Sequence, residues 1–385
     1  MNSINISDSI KYIGASTYDI DLFEGQYIVP NGMAYNSYVI LDDKIAIMDT
    51  ADSVVSEEWI SNLKEALNGK APDYLVVQHL EPDHSSNIMN VVSMYPDVKI
   101  VCTAKAKQMM PQFADINPDN IITKAEGDTL ELGSHTLNFV LAPMVHWPEV
   151  MVSYESSEKV LFSADAFGKF GALDADEGWS CEARRYYFNI VGKYGKQVQM
   201  LLNKAAGLDI KTICPLHGPI LTDTISEVLS LYNTWSAYEP ENEGVFIAYA
   251  SIYGNTAKAA EKMKALLEEK GCPRVAIADL ARDDMAECVE DAFRHSTLLC
   301  MASSYDGGVF TPMNDFLHHL KAKTFQNRRV ALVENGSWAP SAARNMKAEF
   351  EQMKDITLVG DVVTIKTTLK DTDIQALDKL AEEIK

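Results

Sequence analysis

Cysteine is scarce and scattered in this chain: six residues in 385, Cys102, Cys181, Cys214, Cys272, Cys288 and Cys300, with no CxxC pair among them. That pattern excludes a zinc ribbon or an iron–thiolate knot and reads as plain buried or partly buried thiols. Positive charge is also short. With 34 Lys and Arg against 55 Asp and Glu, the net charge is −21, a balance that repels phosphate backbones and anionic lipid surfaces, so nucleic acid is not an expected partner. No apolar run reaches the roughly 18 residues of a membrane span. The opening MNSINISDSIKY has neither the basic nor the apolar part of a secretory leader, so a cytoplasmic protein without a membrane partner is expected. Repeats of fixed period and low-complexity tracts are missing too.

What remains is ordinary globular material, 47% hydrophobic and 23% charged, long enough at about 150 residues per domain for two or three cores. Near residue 240 a helical pattern ending in LYNTWSAY gives way to EPENEG and then to the apolar run VFIAYA, which places a boundary between 1–243 and 244–385. Through Glu243 the chain has 16 basic and 34 acidic residues, a balance of −18, and beyond it 18 and 21, a balance of −3. The second part alternates short apolar runs (VFIAYA, RVAIADL, TLLCMASS, RVALVENG, ITLVGDVVTI) with helical segments such as NTAKAAEKMKALLEEKG, the rhythm of a doubly wound parallel sheet of five strands. The first part opens with short alternating strands, and TLNFVLAPM, MVSYESS and KVLFSAD have the alternation of antiparallel sheet, so an α+β or layered αββα domain is expected.

The densest chemistry is in QHLEPDHSSN, with His79, Glu81, Asp83 and His84 directly after the apolar strand DYLVV. An extended segment would put His79, Glu81 and Asp83 on one side, and a turn at Pro82 lets His84 join them. Three other segments each offer one donor after an apolar run: His146 in APMVHWPEV, Asp165 in LFSADAFG and His217 in ICPLHGPI. A single His after a strand is usually a hydrogen-bonded loop residue. Imidazoles and carboxylates packed this densely, however, would repel and desolvate one another without a cation, so the cluster points to a metal pair. Nitrogen and oxygen donors without thiolate leave two irons or two zincs open, and the carboxylate in the cluster leans the choice toward redox iron. His135, His295, His318 and His319 read as surface or helix residues.

The order HxExDH, His, Asp, His resembles the metallo-β-lactamase fold in its flavodiiron branch. Hydrolases of that fold usually show HxHxDH, and Glu81 in place of the second His argues for iron. The resemblance implies that His79, Glu81 and His146 hold one iron, Asp83, His84 and His217 the other, and that Asp165 bridges them. It departs at LFEGQY, where Glu24 stands at a place many relatives give to His, and in the 51 residues between Asp165 and His217, fewer than in many relatives. Trp147, Tyr186 and Tyr187 read either as core or as pocket wall.

In the second domain, VFIAYA runs into SIYGNTAKAA, a hydroxyl-rich turn that opens a helix. Ser251, Ile252, Tyr253, Gly254, Asn255 and Thr256 would cradle a phosphate on free N–H groups at the helix start. Two more loops, ASSYDGGVF with Ser303, Ser304, Tyr305, Asp306 and Gly307, and ENGSWAPSA with Ser337, Trp338 and Ala339, follow the third and fourth strands. In a flavodoxin-like order 2-1-3-4-5 all three loops meet at the switch point. The domain resembles flavodoxin, which implies FMN there, with Tyr305 or Trp338 stacking on its ring. A flavin beside a metal pair makes an oxidoreductase, and the resemblance implies reduction of O2 to water, of NO to N2O, or of both. It further implies a head-to-tail homodimer or a dimer of dimers, and an external electron donor such as rubredoxin, for which Lys321, Lys323, Arg328 and Arg329 offer a docking place. The runner-up is a dizinc hydrolase of the lactamase fold fused to a flavodoxin-like module. A third reading is a flavin electron carrier with a structural metal scaffold.

Overall fold

In the computed structural model, which describes residues 6–385, the chain divides into two compact units. The first runs to Tyr187 and resumes from Lys196 to Tyr232; the second comprises Phe188–Gly195 and Asn233–Lys385. The second unit thus takes in residues on the amino-terminal side of 243 as well as the expected span.

The first unit holds two sheets. One has the order Ile10–Tyr12, Tyr38–Ile40, Ala46–Met48, Tyr74–Val76, Lys99–Thr103, Ile121–Lys124, antiparallel at its first two pairings and parallel thereafter. The other has the order Thr129–Glu131, Thr136–Leu141, Met151–Glu155, Val160–Phe162, Thr212–Cys214; it is a meander, as the alternation of its runs predicts, closed by one parallel pair. Alternate residues of the two sheets, among them Tyr38, Met48, Val76 and Val101 from one and Phe139, Met151 and Phe162 from the other, share a single core. The intervening Ile47, Leu75 and Ile100 are buried as well, so the first sheet is covered on both faces. The helix Ser56–Leu67, in the same unit, buries Trp59, Leu63 and Leu67 at a spacing of four and ends on Asn68 in the left-handed conformation.

The second unit has one parallel sheet in the order Val275–Asp279, Asn242–Ala250, His295–Tyr305, Arg328–Asn335, Ile356–Leu358, the flavodoxin-like arrangement expected. The run ITLVGDVVTI is not one strand. It breaks at Gly360 into Ile356–Leu358 and Val363–Ile365, and both pair with Arg328–Asn335. Gly360 has φ +72, a conformation glycine adopts without cost, and it ends the first ladder.

Candidate functional site

In the first unit, strand ends deliver the donors. His79 follows Tyr74–Val76, His146 lies in the turn between Thr136–Leu141 and Met151–Glu155, and Asp165 and His217 follow the parallel neighbours Val160–Phe162 and Thr212–Cys214. The QHLEPDH segment does not stay extended. Pro82 opens a single helical turn, Pro82–Ser85, where its fixed φ and missing N–H are tolerated. The turn separates Asp83 and His84 from His79 and Glu81, so the expectation that His79, Glu81 and Asp83 share one side gives way to a division of the motif between two groups.

The donor atoms of His79, Glu81, His146 and Asp165 form one group and those of Asp83, His84 and His217 a second, each within 4.8 Å. Glu81 Oε2 lies 3.1 Å from His79 Nε2 and 2.9 Å from His146 Nε2, and Asp165 Oδ2 lies 3.2 Å from both rings. The other oxygen of Asp165 turns to the second group, 3.6 Å from His217 Nε2. One carboxylate therefore faces both groups. In the second, Asp83 Oδ2 is 3.1 Å from His217 Nε2 and 3.6 Å from His84 Nε2.

Three details fit metal ions. His84 Nδ1 is 3.1 Å from the Thr50 carbonyl and His217 Nδ1 is 2.8 Å from the Ala34 carbonyl. Each contact calls for a proton on Nδ1, which leaves the Nε2 lone pairs of the neutral rings facing each other at 3.2 Å. Both Asp83 oxygens and Asp165 Oδ1 are buried without a hydrogen-bond partner among the described residues; the short Asp83–His217 contact lies outside hydrogen-bonding alignment. His79 Nδ1 sits 3.0 Å from Glu149 Oε1, the outer carboxylate that commonly orients a ligating imidazole.

Charge follows from this crowding. Burial pushes the His79 imidazolium pKa down, but Asp165, Glu149 and Glu81 outweigh it and hold it well above the usual histidine range. His146 is likewise pulled up, to about 9, by Asp165 and Glu81 against its own burial. Burial lowers His84, with the charge of His217 adding to the fall, while Asp83 raises His217. Asp165 would be raised by burial, yet His79 and His146 keep it far below the usual carboxylate value. The pocket asks for positive charge at two places, which protons or metal ions can supply.

Aromatic rings close around the donors. Phe23, Tyr35 and Tyr186 lie 5.4, 5.9 and 5.6 Å from the His217 ring, and Trp147 stands edge-on to His79 at 5.3 Å. Tyr186 is 1% exposed. Burial and the charges of Asp165, Asp83, Glu81 and Glu24 push its phenol pKa well up, so its O–H stays a donor. Glu24 is exposed by area, yet desolvation at the pocket mouth and the charge of Glu81 raise its carboxyl to about 7.

The second unit brings its three expected loops to one pocket, lined by Ser251, Ile252, Tyr253, Asn255, Thr256, the segment 303–307 and the segment 337–339. Gly254 does not line it. With φ +85 it sits just before the helix Asn255–Glu269, whose first turn has no side-chain cap, so N–H groups are left for an anion. Sequence reasoning missed Asn335, Gly336, Ser341 and Thr367 in this wall. Thr367 comes from a fourth loop, tied in by Asn335 through its own N–H (3.0 Å) and carbonyl (2.9 Å), a contact with no local sequence signal. Tyr253 and Trp338 stand almost wholly exposed at the rim, at 92% and 93%.

Three expectations are overturned. His135 is buried in a loop with both ring nitrogens engaged, by Asp42 at 2.6 Å and Glu158 at 3.0 Å. His295 is buried at the start of its strand, with Nδ1 donating to the Asp291 carbonyl; His318 and His319 do lie on a helix, Thr311–Ala322. The basic docking place also loses one of its four members. Arg328 is 3% exposed and donates to the carbonyls of Phe293, Tyr238, Gln326 and Asn327. Lys323 donates to the Asn189 carbonyl, Arg329 to that of Glu383, and exposed Lys321 is paired with Glu349.

Residues 33–218 match the model of the ODP family of beta lactamases. An anaerobic nitric oxide reductase flavorubredoxin of Escherichia coli is 28% identical over 91% of this chain and 75% of its own length. An uncharacterized protein of Methanocaldococcus jannaschii is 28% identical over 97% of this chain and 95% of its own. Among solved structures, the rubredoxin:oxygen oxidoreductase of Desulfovibrio gigas superposes with a TM-score of 0.92 at 25% identity, covering 100% of this chain and 98% of that one. The flavodiiron protein of Giardia intestinalis superposes with a TM-score of 0.91 at 21% identity, over 99% and 96%. No helix among the described residues is long and apolar enough to cross a membrane. This chain is thus similar to a flavorubredoxin over 91% of its length, its residues 33–218 match a beta-lactamase family model, and it shares the fold of the rubredoxin:oxygen oxidoreductase and of the flavodiiron protein.

Proposed function

We propose that the protein is an oxidoreductase that reduces O2 to water, NO to N2O, or both, at two iron ions held in the first unit, with electrons supplied through FMN held in the second. The observation that carries this reading is the shared carboxylate. Asp165 directs one oxygen to His79 and His146 and the other to His217, while the unpaired oxygens of Asp83 and Asp165 and the facing Nε2 atoms of His84 and His217 make the second group a better host for a cation than for itself. The activities of the flavorubredoxin and of the rubredoxin:oxygen oxidoreductase support the same class of reaction.

His79, Glu81 and His146 would hold one ion, Asp83, His84 and His217 the other, with Asp165 between them. Two such ions supply Lewis acidity and electrons to a bound diatomic. The protein's own part is to shape and dry the pocket. Phe23, Tyr35 and Trp147 restrict water at the rings, and the Tyr186 hydroxyl, held neutral by four nearby carboxylates, offers a donor to an oxygen-bearing substrate. Glu24, poised near pH 7 beside Glu81, can hold a proton at its carboxyl at the pocket mouth.

In the second unit the uncapped start of Asn255–Glu269 would take the FMN phosphate, and Tyr305 or Trp338 would stack on the ring. Apolar side chains are exposed in both units: Tyr18, Leu22 and Ile28 in the first, and Ile252, Tyr253, Tyr305 and Trp338 around the pocket of the second. This supports a head-to-tail pair of chains in which one copy's flavin rim meets the other's metal rim. A separate reduced carrier of the rubredoxin type would feed the flavin.

Metal analysis, a visible spectrum and gas consumption on the purified protein test the reading together. Two irons and one FMN per chain, with O2 or NO consumed under a reduced donor, are expected. Zinc with no gas consumption would return the chain to the hydrolase reading.

A further inference from the structure

Beyond the ligands themselves, one buried side chain stands out for what it holds. Asn36 is 0% exposed and directly follows the strand Met33–Tyr35. Its Nδ2 donates to two carbonyls of the turn that bears His217, Pro215 at 2.9 Å and Gly218 at 2.7 Å. Its Oδ1 accepts the Tyr12 hydroxyl at 3.1 Å. Its own backbone N–H donates to the Leu216 carbonyl at 2.8 Å. The Tyr38 hydroxyl adds a second bond to the Pro215 carbonyl, at 2.7 Å.

The same short segment also orients the ring, because the Ala34 carbonyl fixes His217 Nδ1. Backbone and imidazole of one donor are thus fixed from a single stretch, residues 34 to 36. Gly218, in the left-handed region at φ +77, keeps the turn tight; a Cβ there would meet the Lys169 side chain at 2.6 Å.

We infer that Asn36 is a positioning residue for the second metal-binding group: by clamping the Pro215–Gly218 turn it holds His217 Nε2 against Asp83 and His84, and so sets the affinity of that position and not of the first. The inference rests on the metal reading proposed above. It concerns a side chain that touches no ion and acts only through the backbone on either side of His217.

The test is an anaerobic titration of the metal-free, FMN-loaded full-length protein with ferrous iron, counting bound iron per chain. Wild type is expected to take up two. Asn36→Ala is expected to keep one at wild-type affinity and to bind the second about 10–100-fold more weakly, the usual consequence of losing an outer support of a ligand. In a His146→Ala background the substitution should abolish the remaining strong binding, whereas in a His84→Ala background it should change nothing further. Two irons bound by Asn36→Ala at wild-type affinity, or equal losses in both backgrounds, overturn the inference. Should Asn36→Ala lose its FMN and fail to fold, Tyr38→Phe decides, since it removes only one bond to the same turn: a smaller weakening confined to the second iron is expected, and unchanged binding overturns the clamp. A wild-type chain that takes up no iron instead overturns the proposed function.

Discussion

Two clusters in the first unit are built from the same residue types, buried histidine and carboxylate, and they differ in what is left over. Around His135 every group is engaged: Asp42 Oδ2 accepts from the ring, the His135 N–H and the Ser134 hydroxyl, and Glu158 takes the other ring nitrogen. Around Asp165 the accounts do not close, because carboxylate oxygens remain without donors and two imidazole lone pairs point at each other. A closed cluster is a structural tie, linking the turn after Tyr38–Ile40 to the turn before Thr136–Leu141. An open one is a host for cations. Residue type alone does not separate the two; unspent hydrogen-bonding capacity does.

The largest expected effect breaks that comparison at its centre. Asp165→Ala removes the one carboxylate facing both groups, so both irons and at least about 100-fold of gas-reducing activity should be lost, as read by metal content and an oxygen or nitric oxide electrode. His135→Leu should leave iron content untouched. Metal loss from His135→Leu, or full iron in Asp165→Ala, would show that the wrong cluster had been taken for the host.

Metal addition gives the next contrast. Free ferrous iron at 100 times its dissociation constant should stabilise the wild-type fold by about 2.7 kcal/mol for each ion bound to the native state, while the Asp165→Ala protein should melt at the same temperature with and without metal. A third, smaller effect extends the comparison to the second unit, where the expected ligand is an anion. Thr256, paired with Ser303 at 2.9 Å, lines the uncapped helix start. Thr256→Val should weaken FMN binding about tenfold, the scale of one hydrogen bond to a charged group, without altering iron stoichiometry; fluorescence titration with FMN measures it.

Much of this was legible in the residues. The donors announced themselves by following apolar runs, and the three loops of the second unit by following the first, third and fourth strands of a βα series. The strand order of the second unit came with its flavodoxin-like resemblance, and those of the first unit were not legible. The supports were not legible, because they bond to backbone carbonyls far along the chain: Asn36 reaches residues 179 and 182 positions away, and Ala34 lies 183 from His217. A polar residue after an apolar strand carries no mark of the turn it holds. Arg328 drops out of the docking cations for a related reason, since the carbonyls that absorb its guanidinium belong to Phe293 and Tyr238 as well as to its own turn. The break at Gly360 was written as a single glycine inside an apolar run, a signal equally compatible with a bulge.

The closed cluster makes its own prediction, the smallest and the easiest to sign. Burial lowers the pKa of His135, but its hydrogen bonds to the Glu158 and Asp42 carboxylates, with Glu155 nearby, raise it on balance above the ordinary value. Burial raises Asp42, and the His135 ring, the Asp43 and His135 N–H groups and Ser134 bring it down on balance. A histidine raised in the folded state contributes its full stability below about pH 6.5 and loses it as pH climbs through the folded value; a lowered aspartate contributes above about pH 4 and loses it on acidification. The tie is therefore strongest between about pH 4 and 6.5. In chelator-treated protein, where metal binding drops out, wild type should exceed His135→Leu by about 1.5–3 kcal/mol at pH 6, and urea unfolding at stepwise higher pH should show that gap narrowing. A gap that stays constant from pH 6 upward would mean the ring is held for its packing and not for its charge, and the two clusters would then differ in more than their unspent donors and acceptors.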